Sequence, residues 1–202
     1  MNDLSDIPNI RKYLSALRQK LKPADSVALP RKGAEKRAAA VLVPLFQRDG
    51  SLHVLYTRRS DRLASHRGQV AFPGGRFDHR DRNLLDAALR EAHEEVGIEP
   101  DTVEVLGTFD GRRTNSTDIM VAPFVGIVPD LCVWRPDPHE VADIFDVPLA
   151  ALSDRRYRGV YRWQRNGMTS EHAAILYGGQ TIWGLTYELT LKFLALLGGH
   201  SA

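Results

Sequence analysis

The sequence is poor in cysteine, in long apolar runs and in net charge, and each shortage excludes a class of protein. Cys132 is the single cysteine among 202 residues, so no disulfide framework can form within the chain and a reducing, cytoplasmic location is expected. No apolar stretch reaches the ~18 residues of a membrane-spanning helix. The first residues, Met-Asn-Asp-Leu-Ser-Asp, lack the basic start and apolar run of a signal peptide. We therefore expect no membrane partner.

Charges of the two signs nearly cancel. The 27 Lys and Arg residues against 25 Asp and Glu residues give a formal net charge of +2. This balance, without interleaved aromatic and basic residues, argues against a nucleic-acid partner. Arginines are nevertheless concentrated between Arg58 and Arg82. Guanidinium groups suit an anionic ligand such as phosphate, although a surface with scattered ion pairs would have the same composition.

The order of strand-like and helix-like segments predicts an α/β (α+β) fold with a mixed sheet and helices on its faces. Residues 9–21 have the spacing of an amphipathic helix and residues 23–36 resemble a linker. We therefore expect an N-terminal helix and linker over residues 1–36 and one domain over residues 37–198. Within that domain the sequence predicts strands at 38–46, 52–57, 103–109, 120–128, 162–164 and 173–176, and helices at 83–96 and 183–197. Asn83 or Asp81 is the expected cap of the first helix and Gly97 its expected stop. The sequence also predicts a hairpin turn at Asp49-Gly50, a long loop at 58–75 with a short strand inside it, and either a strand end or a helix start at 147–152.

The predicted helix at 83–96 has a cluster of carboxylates. Glu91, Glu94 and Glu95 share one face because residues three and four apart are neighbours on a helix. Like charges there repel, and clustered carboxylates are the ligands that hard divalent cations prefer. A solvated acidic surface explains the glutamates alone equally well. The opposite face is an apolar stripe that can dock on a sheet, formed by Leu85, Ala88, Leu89, Ala92 and Val96.

A glycine pair precedes this helix in the run Phe72-Pro73-Gly74-Gly75. Glycines allow a chain to pass close to a ligand or metal, and such a turn can aim a carbonyl oxygen at a cation beside the helix. Pro-Gly-Gly is also a common turn, so the pair favours a metal site only in combination with the glutamates.

Together these residues resemble the Nudix box, which implies a Nudix-type α/β/α sandwich and a diphosphate-cleaving hydrolase that needs Mg²⁺ or Mn²⁺. Gly75 begins the box and the run from Arg90 to Ile98 completes it. Two departures are visible: Asp81 stands where the family has Glu, and eight residues rather than seven separate it from Arg90. The resemblance implies the following metal ligands and catalytic residues: Glu91 and Glu95 as principal ligands, Glu94 as a third or water-bridged ligand, the carbonyl of Gly75 as a further ligand, and Arg90 as a brace, paired with Asp81, between loop and helix.

The runs 55–60 and 66–75 look like the additional signature of the coenzyme A diphosphatase branch, and the runs 139–149 and 182–186 also resemble it. Ala64 departs from the signature, since relatives often have Arg there. The resemblance implies hydrolysis of coenzyme A or its derivatives. It also implies substrate binding by Arg58, Arg59, His66 and Gly74.

Two alternatives stay open at the level of sequence. The general base is either Glu140, where relatives often carry a functional acid, or Glu94. The substrate is coenzyme A, or else another small nucleotide diphosphate derivative such as ADP-ribose, NADH or an NTP. A non-catalytic nucleotide-binding module ranks lower because all three box glutamates are present. A homodimer is compatible with the sequence, which does not determine the oligomeric state.

Overall fold

The computed structural model describes residues 10–30, 33, 35–114, 118–129, 133–165 and 167–198. Cys132 lies outside these residues. None of the helices described is both long and apolar enough to cross a bilayer. The helices are α1 (Ile10–Lys20), α2 (Leu84–Val96), α3 (Leu149–Ser153) and α4 (Gly184–Leu196). The strands are β1 (Ala38–Arg48), β2 (Ser51–Arg59), β3 (Val70–Ala71), β4 (Gly74–Arg76), β5 (Glu104–Thr108), β6 (Arg112–Arg113), β7 (Met120–Ile127), β8 (Val141–Pro148), β9 (Arg158–Arg165), β10 (Met168–Tyr177) and β11 (Gln180–Trp183).

Strand β1 is the centre of the main sheet. It pairs antiparallel with β2 and parallel with β7, so the sheet is mixed, as the sequence predicts. The predicted hairpin turn between β1 and β2 is confirmed. Asp49 and Gly50 both have left-handed backbone, with φ of 49° and 77°, which matches the right-handed twist of the flanking strands.

The two faces of the sheet are covered by different helices because side chains alternate along a strand. Leu42 and Phe46 of β1 pack in a cluster with Ala92 and Val96 of α2. The neighbouring Val43 and Leu45 pack in the largest cluster, which includes residues of α1 and α4 such as Leu17, Leu189 and Phe193. These layers confirm the predicted helix–sheet–helix arrangement, in which one face of α2 packs against the sheet.

Helix α1 belongs to the same core as the rest of the chain. Leu17 is only 2% exposed. Lys22 and Thr108 exchange two main-chain hydrogen bonds, at 2.8 and 2.9 Å. Gly107 makes this approach possible, since a Cβ there would lie 2.5 Å from the carbonyl oxygen of Lys22. The described part of the segment expected as helix and linker is therefore packed into the domain that follows it.

The second half of the domain contains more strand than the sequence indicates. Strand β8 pairs along β2, although only its last residues are strand-like in the sequence. The ambiguity at 147–152 is resolved as the end of β8 followed by α3. The pieces expected at 162–164 and 173–176 lie in the second halves of β9 and β10, which form a separate antiparallel sheet with β11. Trp183, expected as the first residue of the closing helix, ends β11 and precedes α4.

The segment from Arg58 to Gly75 contains the short strand expected inside the loop, and its two ends are also strand. Arg58 and Arg59 are the last residues of β2, and β3 and β4 lie within the remainder. Strands β1 and β2 diverge beyond their hairpin. There β3 pairs with β2 and β4 pairs with β1. This pairing fixes the glycine pair of β4 beside α2.

Candidate active site

Capping residues fix both ends of α2, the helix that carries the glutamates. The side chain of Asn83 accepts a hydrogen bond from the N–H of Asp86 at the first turn. Gly97 ends the helix in left-handed backbone and donates to the carbonyl of His93 at 2.9 Å. The predicted helix is confirmed, with Asn83 rather than Asp81 as its cap and Gly97 as its stop. The apolar stripe lies against the sheet, and Glu91 and Glu95 project beside β4.

Three carboxylates meet next to this helix. Ligand oxygens of Glu91, Glu95 and Glu140 all lie within 4.8 Å of one another. Glu95 is almost fully buried, Glu91 is half-buried, and Glu140 is exposed at the turn before β8. Oxygen donors at this spacing fit a hard divalent cation such as Mg²⁺ or Mn²⁺.

Glu94 is next to Glu91 on Arg90 but is not one of the three grouped carboxylates. Its side chain is 51% exposed and pairs with Arg90, with Nη1 2.9 Å from Oε2. The third carboxylate beside the two predicted ligands is thus Glu140, which the sequence indicates only as an alternative general base. The available signal was the acid at the start of the run 139–149. Spacing along the chain does not give the distance between Glu140 and α2.

Electrostatics in the cluster favour a bound cation. The pKa of Glu95 is raised to about 8, mainly by burial and in smaller part by the nearby Glu91 and Glu140. The N–H of Gly74, 3.0 Å from Oε2, and the guanidinium of Arg59 act in the opposite direction. Burial likewise raises the pKa of Glu91, an effect that Arg90 partly offsets. Two carboxyls whose ionised forms are disfavoured by burial and repulsion gain from a divalent charge between them.

The glycine pair is required by close packing. A Cβ at Gly75 would lie 2.3 to 2.6 Å from the carboxylate atoms of Glu91. Gly74 has φ of 151°, and a Cβ there would lie 2.3 Å from the carbonyl oxygen of Ala40. The backbone of β4 therefore passes directly against the carboxylates. The N–H of Gly74 donates to the carboxylate of Glu95, a hydrogen bond that the sequence did not predict. The carbonyl of Gly75 as a metal ligand stays a prediction.

All three guanidinium nitrogens of Arg90 donate hydrogen bonds to other groups of the protein. Its Nε and Nη2 donate to the two carboxylate oxygens of Asp81, at 2.8 and 3.1 Å. Nη1 donates to Glu91 at 3.0 Å and to Glu94, and Nη2 also donates to the carbonyl of Arg76 at 3.2 Å. The hydrogen bonds to Asp81 are the main cause of the raised pKa of Arg90. Arg90 thus joins the loop to the helix, and Asp81 takes the partner position despite its shorter side chain and altered spacing.

The residues predicted to bind substrate occupy different surroundings. Arg59 Nη1 lies 3.6 Å from Glu95 Oε1, and its buried Nε has no hydrogen-bond partner in the described part of the chain. Arg58 lies opposite Asp143 in the register between β2 and β8, without a described contact to the three glutamates. His66 is exposed in left-handed backbone, with φ of 57° and Nδ1 2.9 Å from Gln69 Oε1. Only Arg59 of these three is brought to the carboxylates.

Known proteins resemble the chain in both sequence and fold. Residues 36–164 match the family model described as the NUDIX domain. A protein of Yersinia enterocolitica named uncharacterized Nudix hydrolase NudL is 43% identical over 157 residues, which are 76% of this chain and 77% of that protein. The protein of the same name from Salmonella dublin is 41% identical over 168 residues, covering 82% of this chain and 84% of that one.

Two solved structures share the fold. One is an Ap4A hydrolase of C. elegans in a binary complex, with a TM-score of 0.53 and 17% identity over 81% of this chain and 98% of that chain. The other is the Nudix hydrolase RenU of M. smegmatis, with a TM-score of 0.54 and 18% identity over 79% of this chain and 86% of that chain. At this level of identity the likeness establishes the architecture alone.

Proposed function

Since the chain belongs to the Nudix family of hydrolases, we propose that its substrate is coenzyme A or a derivative, whose diphosphate bridge it cleaves to 3′,5′-ADP and 4′-phosphopantetheine or the acyl form. The family assignment makes the chain a hydrolase of pyrophosphate bonds in small nucleotide substrates. The choice of coenzyme A is supported by the signature in residues 55–75, which runs directly into the box.

The cluster of Glu91, Glu95 and Glu140 is the observation that carries the proposed chemistry. These three side chains would hold Mg²⁺ or Mn²⁺, which neutralises phosphate charge and activates water when bound. Glu95 is fixed from two sides, by the N–H of Gly74 and by Arg59. Such fixed surroundings keep a ligand in place through the reaction.

The proposed reaction is hydrolysis without a covalent enzyme intermediate. Water adds to one phosphorus, the bond from that phosphorus to the bridging oxygen breaks, and the products are two phosphate monoesters. The water must lose a proton, and an exposed carboxylate within the cluster is the group best placed to accept it. We assign this role to Glu140 rather than to Glu94, because the carboxylate of Glu94 is engaged by Arg90.

Arg59 is the proposed contact to the diphosphate. Its guanidinium lies beside Glu95 and its side chain is 26% exposed, so it can donate to an anionic ligand in the site. The exposed His66 and the half-buried Arg58 would contact more distant parts of the substrate, and Gly74 would line the site through its backbone. These assignments follow the signature and the proximity of the loop to Glu95.

A substrate panel tests the proposal. The full chain is incubated with Mg²⁺ or Mn²⁺ and with coenzyme A, acetyl-coenzyme A, ADP-ribose, NADH or a dNTP, and kcat/KM is measured for each. Coenzyme A or its acyl form should be preferred, and 3′,5′-ADP should be among the products. Faster turnover of ADP-ribose or NADH would retain the hydrolase and reject the coenzyme A assignment. Binding without turnover of any member would favour the non-catalytic alternative.

A further inference from the structure

The turn that carries Glu140 is tied to the C-terminal end of α2 through main-chain hydrogen bonds. The last carbonyls of a helix have no partner within the helix itself. Here the carbonyl of Val96 accepts from the N–H of Arg135 at 2.9 Å, and the carbonyl of Glu95 accepts from the N–H of Asp137 at 3.0 Å. Glu95 therefore has two roles. Its carboxylate belongs to the cluster, and its main-chain carbonyl anchors the turn that carries Glu140.

Asp137 makes three further hydrogen bonds that shape this turn. Its carbonyl accepts from the N–H of Glu140 at 3.0 Å and from the N–H of Val141 at 2.7 Å. Its side-chain Oδ1 accepts from the N–H of His139 at 2.9 Å. An aspartate that bonds the backbone two residues ahead fixes a local turn. Glu140 itself is exposed, so little packing of its own side chain holds it in place.

A second anchor lies on the opposite side of the turn. The N–H of Ser60, the residue after β2, donates to the carbonyl of Glu140 at 2.8 Å. This bond and the two bonds to α2 join main-chain atoms, so a side-chain substitution does not remove their donors or acceptors. The bond from Asp137 Oδ1 to His139 is made by a side chain, so a single substitution removes it.

We propose that Asp137 is a positioning residue for the metal centre, because its carboxylate oxygen fixes the turn that brings Glu140 to Glu91 and Glu95. The inference rests on the proposed metal centre but not on the choice of coenzyme A as substrate. Asp137 is outside the carboxylate cluster. Its turn requires an acceptor oxygen and not a negative charge, so an amide at this position should serve equally well.

The experiment compares Asp137→Ala, Asp137→Asn and a control, Asp154→Ala, in the full chain. Asp154 makes a bond of the same kind, with Oδ1 2.8 Å from the N–H of Arg156, in a turn before β9. Free Mn²⁺ is measured by electron paramagnetic resonance without substrate, and the thermal midpoint is recorded for each variant. Asp137→Ala should weaken Mn²⁺ binding about 10-fold or more, while Asp137→Asn and Asp154→Ala stay within about twofold of the parent.

Three other outcomes would reject the inference, each for a separate reason. Unchanged Mn²⁺ binding in Asp137→Ala, with only a lower thermal midpoint, would mean that the residue is structural. Equal weakening in Asp137→Asn would mean that its charge and not its acceptor oxygen matters. Absence of Mn²⁺ binding by the parent would remove the metal centre together with the inference. Failure to hydrolyse coenzyme A while Mn²⁺ binding follows the expected order would reject the proposed substrate and leave the role of Asp137 intact.

Discussion

Arg90 on α2 and Asp81 in the preceding loop form a two-point ion pair, with Nε 2.8 Å from Oδ1 and Nη2 3.1 Å from Oδ2. The side chain of Asp81 is 3% exposed and that of Arg90 is 21% exposed. The pair fixes the angle between the loop and the helix, and thereby the approach of β4 to the glutamates.

Removal of the Asp81 carboxylate should destabilise the fold. In Asp81→Asn the mostly buried guanidinium of Arg90 loses the carboxylate that accepts two of its hydrogen bonds, so the free energy of unfolding should fall by about 2 kcal/mol, measured by urea denaturation. Glu171→Gln is the control, because it breaks an exposed pair with Arg162 and should cost less than about 1 kcal/mol. Equal losses in the two variants would show that the Arg90–Asp81 pair adds no stability.

A methyl group at Gly75 should disable the site with little effect on folding. The added Cβ would overlap the Glu91 carboxylate, which is the mobile end of a side chain and can move away. We expect kcat/KM of Gly75→Ala to fall about 100-fold, since 1 Å misplacements at an active site can have effects of this order. Gly178→Ala is the control. Nothing lies within 4 Å of its new Cβ, and its positive φ predicts a loss of stability without a loss of activity.

The two candidate bases can be separated by amide substitution. Glu140→Gln should reduce kcat about 100-fold or more, since it alters a member of the carboxylate cluster. Glu94→Gln should reduce kcat less than about 10-fold, because it removes an exposed partner of Arg90. Steady-state kinetics with saturating Mg²⁺ checks the order. The reverse order would move the proton acceptor to Glu94.

Neighbouring arginines should differ in their effect on substrate binding. Arg59→Ala should raise KM about 10-fold or more, because its partly exposed guanidinium lies 3.6 Å from Glu95 and can donate to phosphate. Arg58→Ala, the matched control at the adjacent position, should raise KM less. A larger effect at Arg58 would mean that the phosphate binds on the other face of β2.

Without a metal, stability should fall as pH rises. Burial raises the folded-state pKa of Glu95 to about 8, above its ordinary value of 4.5. The folded chain then holds this proton more tightly than the unfolded chain does. The resulting stabilisation is complete below pH of about 4.5 and is lost as pH rises through about 8. In EDTA the thermal midpoint should fall over this range, less so in Glu95→Gln, and Mg²⁺ should restore it at the upper end. A profile identical in the two proteins would contradict the raised pKa.

The sequence alone determined the features that depend on residues close together in the chain. Capping residues and a 3.6-residue period define α2, two residues with left-handed backbone define the β1–β2 turn, and helical spacing places Glu91 and Glu95 on one face. These are interactions between residues close together in the chain, so their geometry follows from secondary structure alone. The glycine pair was identifiable for the same reason.

Only the tertiary structure decided which distant groups join that helix. Glu140 lies 45 positions after Glu95, and its place in the cluster depends on the pairing of β8 with β2 and on the bonds from Asp137 and Ser60. The same pairing places Arg58 opposite Asp143, whereas Arg59 lies beside Glu95. Contacts of this kind depend on strand register and main-chain hydrogen bonds across long sequence separations, which residue types and spacing do not specify.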